Sequence, residues 1–283
     1  MALYPSIYDA KEIMLDIGRR MYDKGFAAAN DGNISCKLDD NIILTTPTGV
    51  SKGYMKAETL VKMTLDGEIL AMGDLQPSSE IKMHIRAYRE NPNILAVVHA
   101  HPPVAASFAI AGIGLDKAIM PEAIVNLGTI PIAKYANPGT TEVPDSIAPF
   151  CKDYNAVLLA NHGALTWGKD LMEAYFRMES VEYYATVMMY TGNILEKSNI
   201  LSCDQVNELL KTRERMGVTT GGVPPCALKA TNTCDVLPGA SQAKCGCIFN
   251  KENANQELGN KSEEDVSELI AKITQEVMRE LNK

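Results

Sequence analysis

The chain has 283 residues, 46% of them hydrophobic and 22% charged, with a formal net charge of -8. That excess of acid argues against nucleic acid or an anionic membrane as the main partner, because both need a positive surface. No run of about 18 apolar residues suggests a membrane span, and the length is enough for one large domain or two small ones with a real core.

The first residues, MALYPSIYDAKEIMLDIGRR, lack a basic segment followed by an apolar one, so no secretory signal is indicated. Seven cysteines (36, 151, 203, 226, 234, 245 and 247) are an odd number in a chain too long to need stapling, which points to reduced thiols and a cytoplasmic location. Residues 9–25 carry apolar positions at helical spacing (Ile13, Ile17, Met21) and stop at Gly25, a C-terminal cap. AAANDGNISCKLDDNIILTTPTG then reads as a loop, a strand around Asn33 to Lys37, a turn at Asp39-Asp40 and a strand through Leu44. PSSEIKMHIRAYREN gives a serine-capped helix that ends before Pro92, and ILAVVHAH gives a strand closed by Pro102-Pro103. A helix is expected from Val104 to Ala111, a β-rich run in AVLLANHGALTWG, and a long helix ending at Gly192. Trp167 and the Met/Tyr-rich segment 172–190 read as packed helix and neighbours rather than as a cofactor box. Irregular alternation of helices and strands predicts an α/β or α+β sandwich on a mixed or antiparallel sheet.

After about residue 217 the texture changes. Residues 218–260 are rich in Gly, Pro, Asn, Thr and Ser without sustained periodicity and read as a linker. Its Cys245 and Cys247 form a CxC with no second pair or nearby histidine, which favours linker thiols over a metal site. In residues 261–283, Val266, Leu269, Ile270, Ile273, Val277 and Leu281 form one apolar stripe behind a Ser262 cap, an amphipathic helix. A helix of this length gains its stability by docking on something.

The chain has four histidines, at 84, 99, 101 and 162. His99 and His101 sit at i and i+2 on a strand, so both side chains leave the same face and can chelate one zinc ion. His162, which also follows an apolar strand and precedes a glycine, is the candidate third ligand; three ligands leave a position open for substrate. Glu80, at a helix start, can ligate the resting metal and act as a base once substrate displaces it. Gly32, Asn33 and Ser35 in DGNIS, Thr48 and Gly49 in TPTG, and Ser78 and Ser79 in PSS could cradle an anion, although turns use the same residues. His84, four residues after Glu80, reads as a hydrogen-bonded structural histidine rather than a group behind the metal.

GNIS, TPTG, PSSE before a helix, VVHAHPP and NHGAL occur in the order and spacing of the class II aldolase/adducin family, and the chain resembles its sugar-phosphate aldolases, the L-fuculose-1-phosphate type above all, over residues 8–215. The resemblance implies an α/β/α sandwich around a mostly antiparallel sheet over a domain 1–217, and a homotetramer with active sites at subunit interfaces. It implies that His99, His101, His162 and Glu80 hold Zn2+, that Glu80 moves the proton at the substrate carbon, and that Gly32, Asn33, Thr48, Gly49, Ser78 and Ser79 hold a phosphate with neutral donors. The implied reaction splits a ketose 1-phosphate, of the L-fuculose or L-rhamnulose type, into dihydroxyacetone phosphate and a short aldehyde such as L-lactaldehyde. A 5-deoxyribulose or methylthioribulose phosphate aldolase or dehydratase, a 4-epimerase and a non-catalytic adducin-like scaffold are the alternatives. One departure stands out: where the sugar-phosphate aldolases carry an interface tyrosine, this chain has Met120, with Glu122 beside it. Tyr135 is family-like, and packing near a turn is its simpler reading. The tail 261–283 resembles the peptides that load enzymes into bacterial microcompartments and would then meet shell proteins; packing on its own domain or on a sister subunit is the other reading.

Overall fold

The computed structural model describes residues 4–71, 73–137 and 140–228. Helix α1 (Ile7–Asp23) starts where the Ser6 hydroxyl accepts the Asp9 N–H at 3.1 Å, and it buries Ala10, Met14, Ile17 and Met21, one stripe at steps of three and four. The chain leaves α1 through Gly25, whose φ of +71° is the left-handed conformation that a helix end favours in glycine.

Eight strands form one sheet in the order β4-β3-β2-β1-β5-β8-β7-β6: β1 (Asn33–Lys37), β2 (Ile42–Thr45), β3 (Val61–Thr64), β4 (Ile69–Ala71), β5 (Ala96–Ala100), β6 (Ile132–Ala133), β7 (Ala156–Leu159) and β8 (Gly163–Gly168). Neighbours are antiparallel except β6 and β7. Strand β5 is buried along its whole length, which explains its unbroken apolar run up to His99. Its Ala96, Val98 and Ala100 face a core shared with α1, α3 (Pro103–Ala111) and α5 (Leu171–Met189). Its Val97 faces a second core with Met83 and Tyr88 of α2 (Ile81–Glu90), Val143 of α4 (Glu142–Ile147), Phe150 and Trp167. The protein is therefore an α/β/α sandwich on a mostly antiparallel sheet, as its sequence predicts.

The elements read from sequence between residues 9 and 192 are present, with ends within a few residues. The β-rich run AVLLANHGALTWG resolves into β7 and β8, and the reversal between them places Asn161 at φ +59°. Short β3, β4 and β6 and helices α4 and α6 (Cys203–Arg215) are additions to that reading. Residues 218–228, placed by composition in the linker, pack on the body. The Gly221 N–H donates to Asp153 O at 2.9 Å, the Thr220 hydroxyl to Asn155 Oδ1 at 2.6 Å, and α7 (Pro225–Leu228) contributes Ala227 to a small cluster with Val206 of α6. The CxC, the rest of the expected linker and the expected helix 261–283 lie outside the described residues.

Candidate metal centre

Strand β5 pairs on one side with β1, setting Asn33 opposite His99, and on the other with β8, setting Leu165 opposite His99. His99 shares the face of Val97, so it emerges on the α2 side of the sheet, and His101 follows two residues on. His162 ends the reversal into β8, and Glu80 is the residue from which α2 starts. Four short stretches far apart in sequence thus meet at one end of the sheet. The three imidazole centroids lie 4.7–4.9 Å apart, and one ring nitrogen from each falls within 4.8 Å of the others. Glu80 joins them: Oε1 is 3.4 Å from His162 Nε2 and Oε2 is 3.6 Å from His99 Nε2.

The hydrogen-bond acceptors around the rings decide where their lone pairs point. His99 Nδ1 lies 2.9 Å from the carbonyl oxygen of Ala164, so that nitrogen carries the proton and Nε2 is bare. His101 Nδ1 faces Asp31 Oδ2 at 3.3 Å. The Nε2 atoms of His99 and His101 are 3.1 Å apart, a spacing that a shared proton or a cation between them accounts for. Tetrahedral zinc at about 2.0–2.1 Å from each nitrogen sets its ligands about 3.4 Å apart, close to the 3.1 Å between the Nε2 atoms of His99 and His101. Burial, then the neighbouring His101 and His162, pushes the His99 pKa well below the ordinary histidine value, and burial lowers that of His162 against the pull of Glu80. Neutral imidazoles are what a metal requires. The residues therefore fit a divalent cation bound by three nitrogens and a carboxylate.

The layer behind the rings holds them in place. Gly163, directly after His162, admits no side chain, because a Cβ there would come within 2.5 Å of Ala100 O and 2.6 Å of the His101 ring. That explains the glycine of NHGAL. At Gly32 the positive φ of +75° and a carbonyl, His99 O, 2.9 Å from any Cβ give the same answer for DGN. His84 is fully buried, its Nδ1 2.8 Å from Ser35 Oγ, which also meets Tyr88 OH at 2.7 Å; burial, with His99 adding, pushes His84 down to about 3. Glu182 on α5 accepts from the Val104 and Ala105 N–H groups at 3.0 and 2.8 Å, and so caps α3 just beyond His101.

The expected anion loops converge beside this cluster. The Thr48 N–H donates to Gln76 O and the Ser78 N–H to Thr46 O, which lashes TPTG to PSS. The Asn33 amide donates to Glu80 Oε2 at 2.7 Å and to Ser78 Oγ at 3.3 Å, and Ser78 Oγ also accepts the Glu80 N–H. Asn33 and Ser78 therefore orient the carboxylate, whereas Thr48, Gly49 and Ser79 open to solvent. Ser35, the remaining residue of DGNIS, turns inward to His84.

Sequence reasoning missed three groups here: Asp31, Glu182 and Lys52. Lys52 follows TPTG and looks like a loop lysine, yet it is only 2% exposed, with Nζ donating to Asn30 O at 2.8 Å and Val50 O at 2.9 Å. No local signal marks it, because its partners are backbone carbonyls. Met120 and Glu122 do not reach the imidazoles; they line a separate cleft of about 340 Å³ with Ala123, Leu127, Tyr183 and Tyr184. Tyr135 is exposed.

Residues 12–189 match the family described as "Class II Aldolase and Adducin N-terminal domain". The 3-oxo-tetronate 4-phosphate decarboxylase of Pectobacterium atrosepticum is 34% identical over 204 residues, covering 71% of this chain and 92% of its own. The L-fuculose phosphate aldolase of Methanococcus maripaludis strain S2 is 32% identical over 180 residues, 64% of this chain and 96% of its own. Among solved structures, YgbL of Klebsiella pneumoniae, titled as a candidate aldolase, epimerase or decarboxylase, superposes with a TM-score of 0.67 at 31% identity, covering 72% of this chain and 99% of that one.

Proposed function

The chain belongs to the class II aldolase and adducin family, and within it we propose that it is a zinc-dependent lyase that cleaves a ketose 1-phosphate to dihydroxyacetone phosphate and a short aldehyde. The observation that carries the reading is the cluster of His99, His101, His162 and Glu80, with two imidazole Nε2 atoms 3.1 Å apart and a carboxylate beside them.

Bound there, zinc supplies Lewis-acid stabilisation of the negative charge that develops on the substrate's oxygens as the C–C bond breaks. The remaining work falls to the chain's own residues. The hydrogen bond to Ala164 O keeps His99 in the tautomer that presents its Nε2 lone pair inward, and Asp31, 3.3 Å from His101 Nδ1, orients that ring. Asn33 holds one Glu80 oxygen by its amide, so the other oxygen is the one free to exchange a proton with the substrate carbon. Thr48, Gly49 and Ser79, open to solvent on mutually bonded loops, bind the phosphate with hydroxyl and backbone N–H donors. Asn33 and Ser78 serve that binding through Glu80 and through the loops.

A second reading has its own support, the 34% identity over 204 residues to a 3-oxo-tetronate 4-phosphate decarboxylase. Loss of CO2 from a 3-oxo-tetronate 4-phosphate and retro-aldol cleavage of a ketose 1-phosphate leave the same three-carbon enediolate, that of dihydroxyacetone phosphate. One site can therefore serve either leaving group. The deciding experiment gives the zinc-loaded protein L-fuculose 1-phosphate, L-rhamnulose 1-phosphate, 5-deoxy-D-ribulose 1-phosphate and 3-oxo-tetronate 4-phosphate, and follows aldehyde and CO2 separately. Aldehyde with dihydroxyacetone phosphate upholds the aldolase; CO2 alone replaces it with the decarboxylase.

The same reading makes the protein a cytoplasmic homotetramer in which Glu122, another residue or water takes the role of the interface tyrosine that Met120 replaces, with residues 261–283 as the handle for microcompartment shell proteins. Truncation after residue 260, which leaves the packed residues 218–228 in place, with measurement of activity and of co-sedimentation with shells tests the handle. Unchanged co-sedimentation discards it.

A further inference from the structure

Lys52 is a charged side chain kept almost wholly from water, and taking an ammonium out of water is unfavourable unless something compensates. Two carbonyls do so at 2.8 and 2.9 Å, and their places in the chain matter. Asn30 stands one residue before Asp31-Gly32, the approach to the metal site's Asn33. Val50 stands directly after Thr48-Gly49. One ammonium therefore joins the two loops that flank the proposed phosphate position. Its backbone is fixed as well: a Cβ on Gly18 of α1 would lie 2.6 Å from Lys52 O, and one on Gly53 2.6 Å from the Tyr22 ring, so the turn Lys52–Tyr54 is clamped against α1.

The charge points toward the site. Asp31 and Glu80 are the carboxylates whose fields favour the Lys52 ammonium, and His99 feels the same cation as an opposing charge. The loop sequences NDGN, TPTG and QPSSE contain no Lys or Arg of their own. A phosphate bound on them meets neutral donors in front and carboxylates at the side, an arrangement short of positive charge.

We infer that Lys52 is the positioning residue of the phosphate site: it locks the Asn30–Gly32 and Thr48–Val50 loops in the spacing that lets their N–H groups converge, and it supplies the positive charge behind them. The inference deepens the proposed function and rests on its phosphate cradle. It changes one element of the sequence reading, in which neutral donors alone hold the anion. Burial lowers the Lys52 pKa to about 8, against the pull of Asp31 and Glu80, so the charge is present at neutral pH and is lost in mildly alkaline solution.

The test uses the zinc-loaded full chain, with inorganic phosphate as a competitive inhibitor against the substrate found above. Lys52→Met keeps the alkyl stem and removes the charge. The expected result is a rise of at least tenfold in the inhibition constant for phosphate and in KM, with kcat within about threefold and zinc stoichiometry unchanged. A purely structural lysine would instead lower the melting temperature and leave KM in place, and that outcome overturns the inference. If Lys52→Met does not fold, the unaltered protein answers the question. Its phosphate affinity should weaken progressively from pH 8 to pH 9.5, where phosphate itself stays dianionic, and a flat profile overturns the inference. The two readings fail separately: no inhibition of the unaltered protein by phosphate removes the cradle and Lys52 together, whereas inhibition that Lys52→Met leaves unchanged removes Lys52 alone.

Discussion

The imidazole cluster and the anion loops lie side by side, yet they are built to different standards. Around the imidazoles the groups have specific partners: Ala164 O on His99, Asp31 on His101, Asn33 on Glu80, and Gly163 leaving room for the His101 ring. On the loops, Thr48, Gly49 and Ser79 stand open to solvent, and the order comes from backbone bonds and from Lys52 beneath them. The buried half suits chemistry that depends on sub-ångström placement, and the open half suits a ligand that must enter and leave. The difference predicts a graded series of responses to mutation.

The largest response belongs to His99, the fully buried member of the proposed ligand set. His99→Ala should lower zinc per chain to a fraction of the normal value, measured by metal analysis, and bring activity to background; a chelator should do the same to the unaltered protein, reversibly on adding zinc. Glu80→Gln comes next: kcat should fall about 10²–10⁴-fold, the usual contribution of a positioned proton carrier, with zinc retained. Near-normal turnover by that variant would remove Glu80 from the chemistry.

Gly163→Ala is smaller but cuts across the comparison, because it replaces none of the proposed ligands. The new methyl must displace a backbone carbonyl and the His101 ring, so stability should fall by about 1–3 kcal/mol in urea unfolding. Zinc affinity should fall about 10- to 100-fold, as for other supporting groups around a metal. Should zinc bind as before, the cluster is less constrained than the neighbouring oxygens suggest.

His84 gives the same contrast a pH signature. Its folded value of about 3 lies below the ordinary 6.5, so the unfolded chain takes up a proton that the folded one refuses. Stability should hold above pH 7 and decline as pH falls from about 6.5 toward about 3. A His84→Asn variant should lose that part of the slope in unfolding measured across the range. The smallest effect is expected on the open side: Thr48→Ala or Ser79→Ala removes about one hydrogen bond of roughly 1 kcal/mol, so KM should rise about fivefold with kcat intact.

The histidines were legible because strand geometry is short-range: alternation along ILAVVHAH already puts His99 and His101 on one face. The β5 strand follows from an equally local pattern, whereas α2 starts from Glu80 with no side-chain cap in place of the expected serine cap. What stayed hidden is long-range or carried by backbone. Nothing near Asn33 signals that its amide will meet Glu80, 47 positions along, and nothing near His101 signals Asp31. Lys52 was invisible because two carbonyls, which every residue has, satisfy it. Residues 218–228 looked like linker because they pair Thr-Thr, Gly-Gly and Pro-Pro, yet Gly221 and Gly222 are there to let the chain lie against Asn155, Thr129 and Tyr154, where a side chain would collide. Composition reports polarity and turn propensity, and a packed irregular segment has both.

The pairing of His99 with Asn33 on one flank and Leu165 on the other ties the donors to strand register. A slip of β5 by one residue would swing both histidines to the opposite side of the sheet and dismantle the cluster at a stroke. A cation that recognises only the correctly aligned strands favours that alignment over every slipped competitor, by about 2.7 kcal/mol when present at a hundred times its dissociation constant. Zinc would then act as a proofreader of the sheet during folding as well as a reagent in the finished protein.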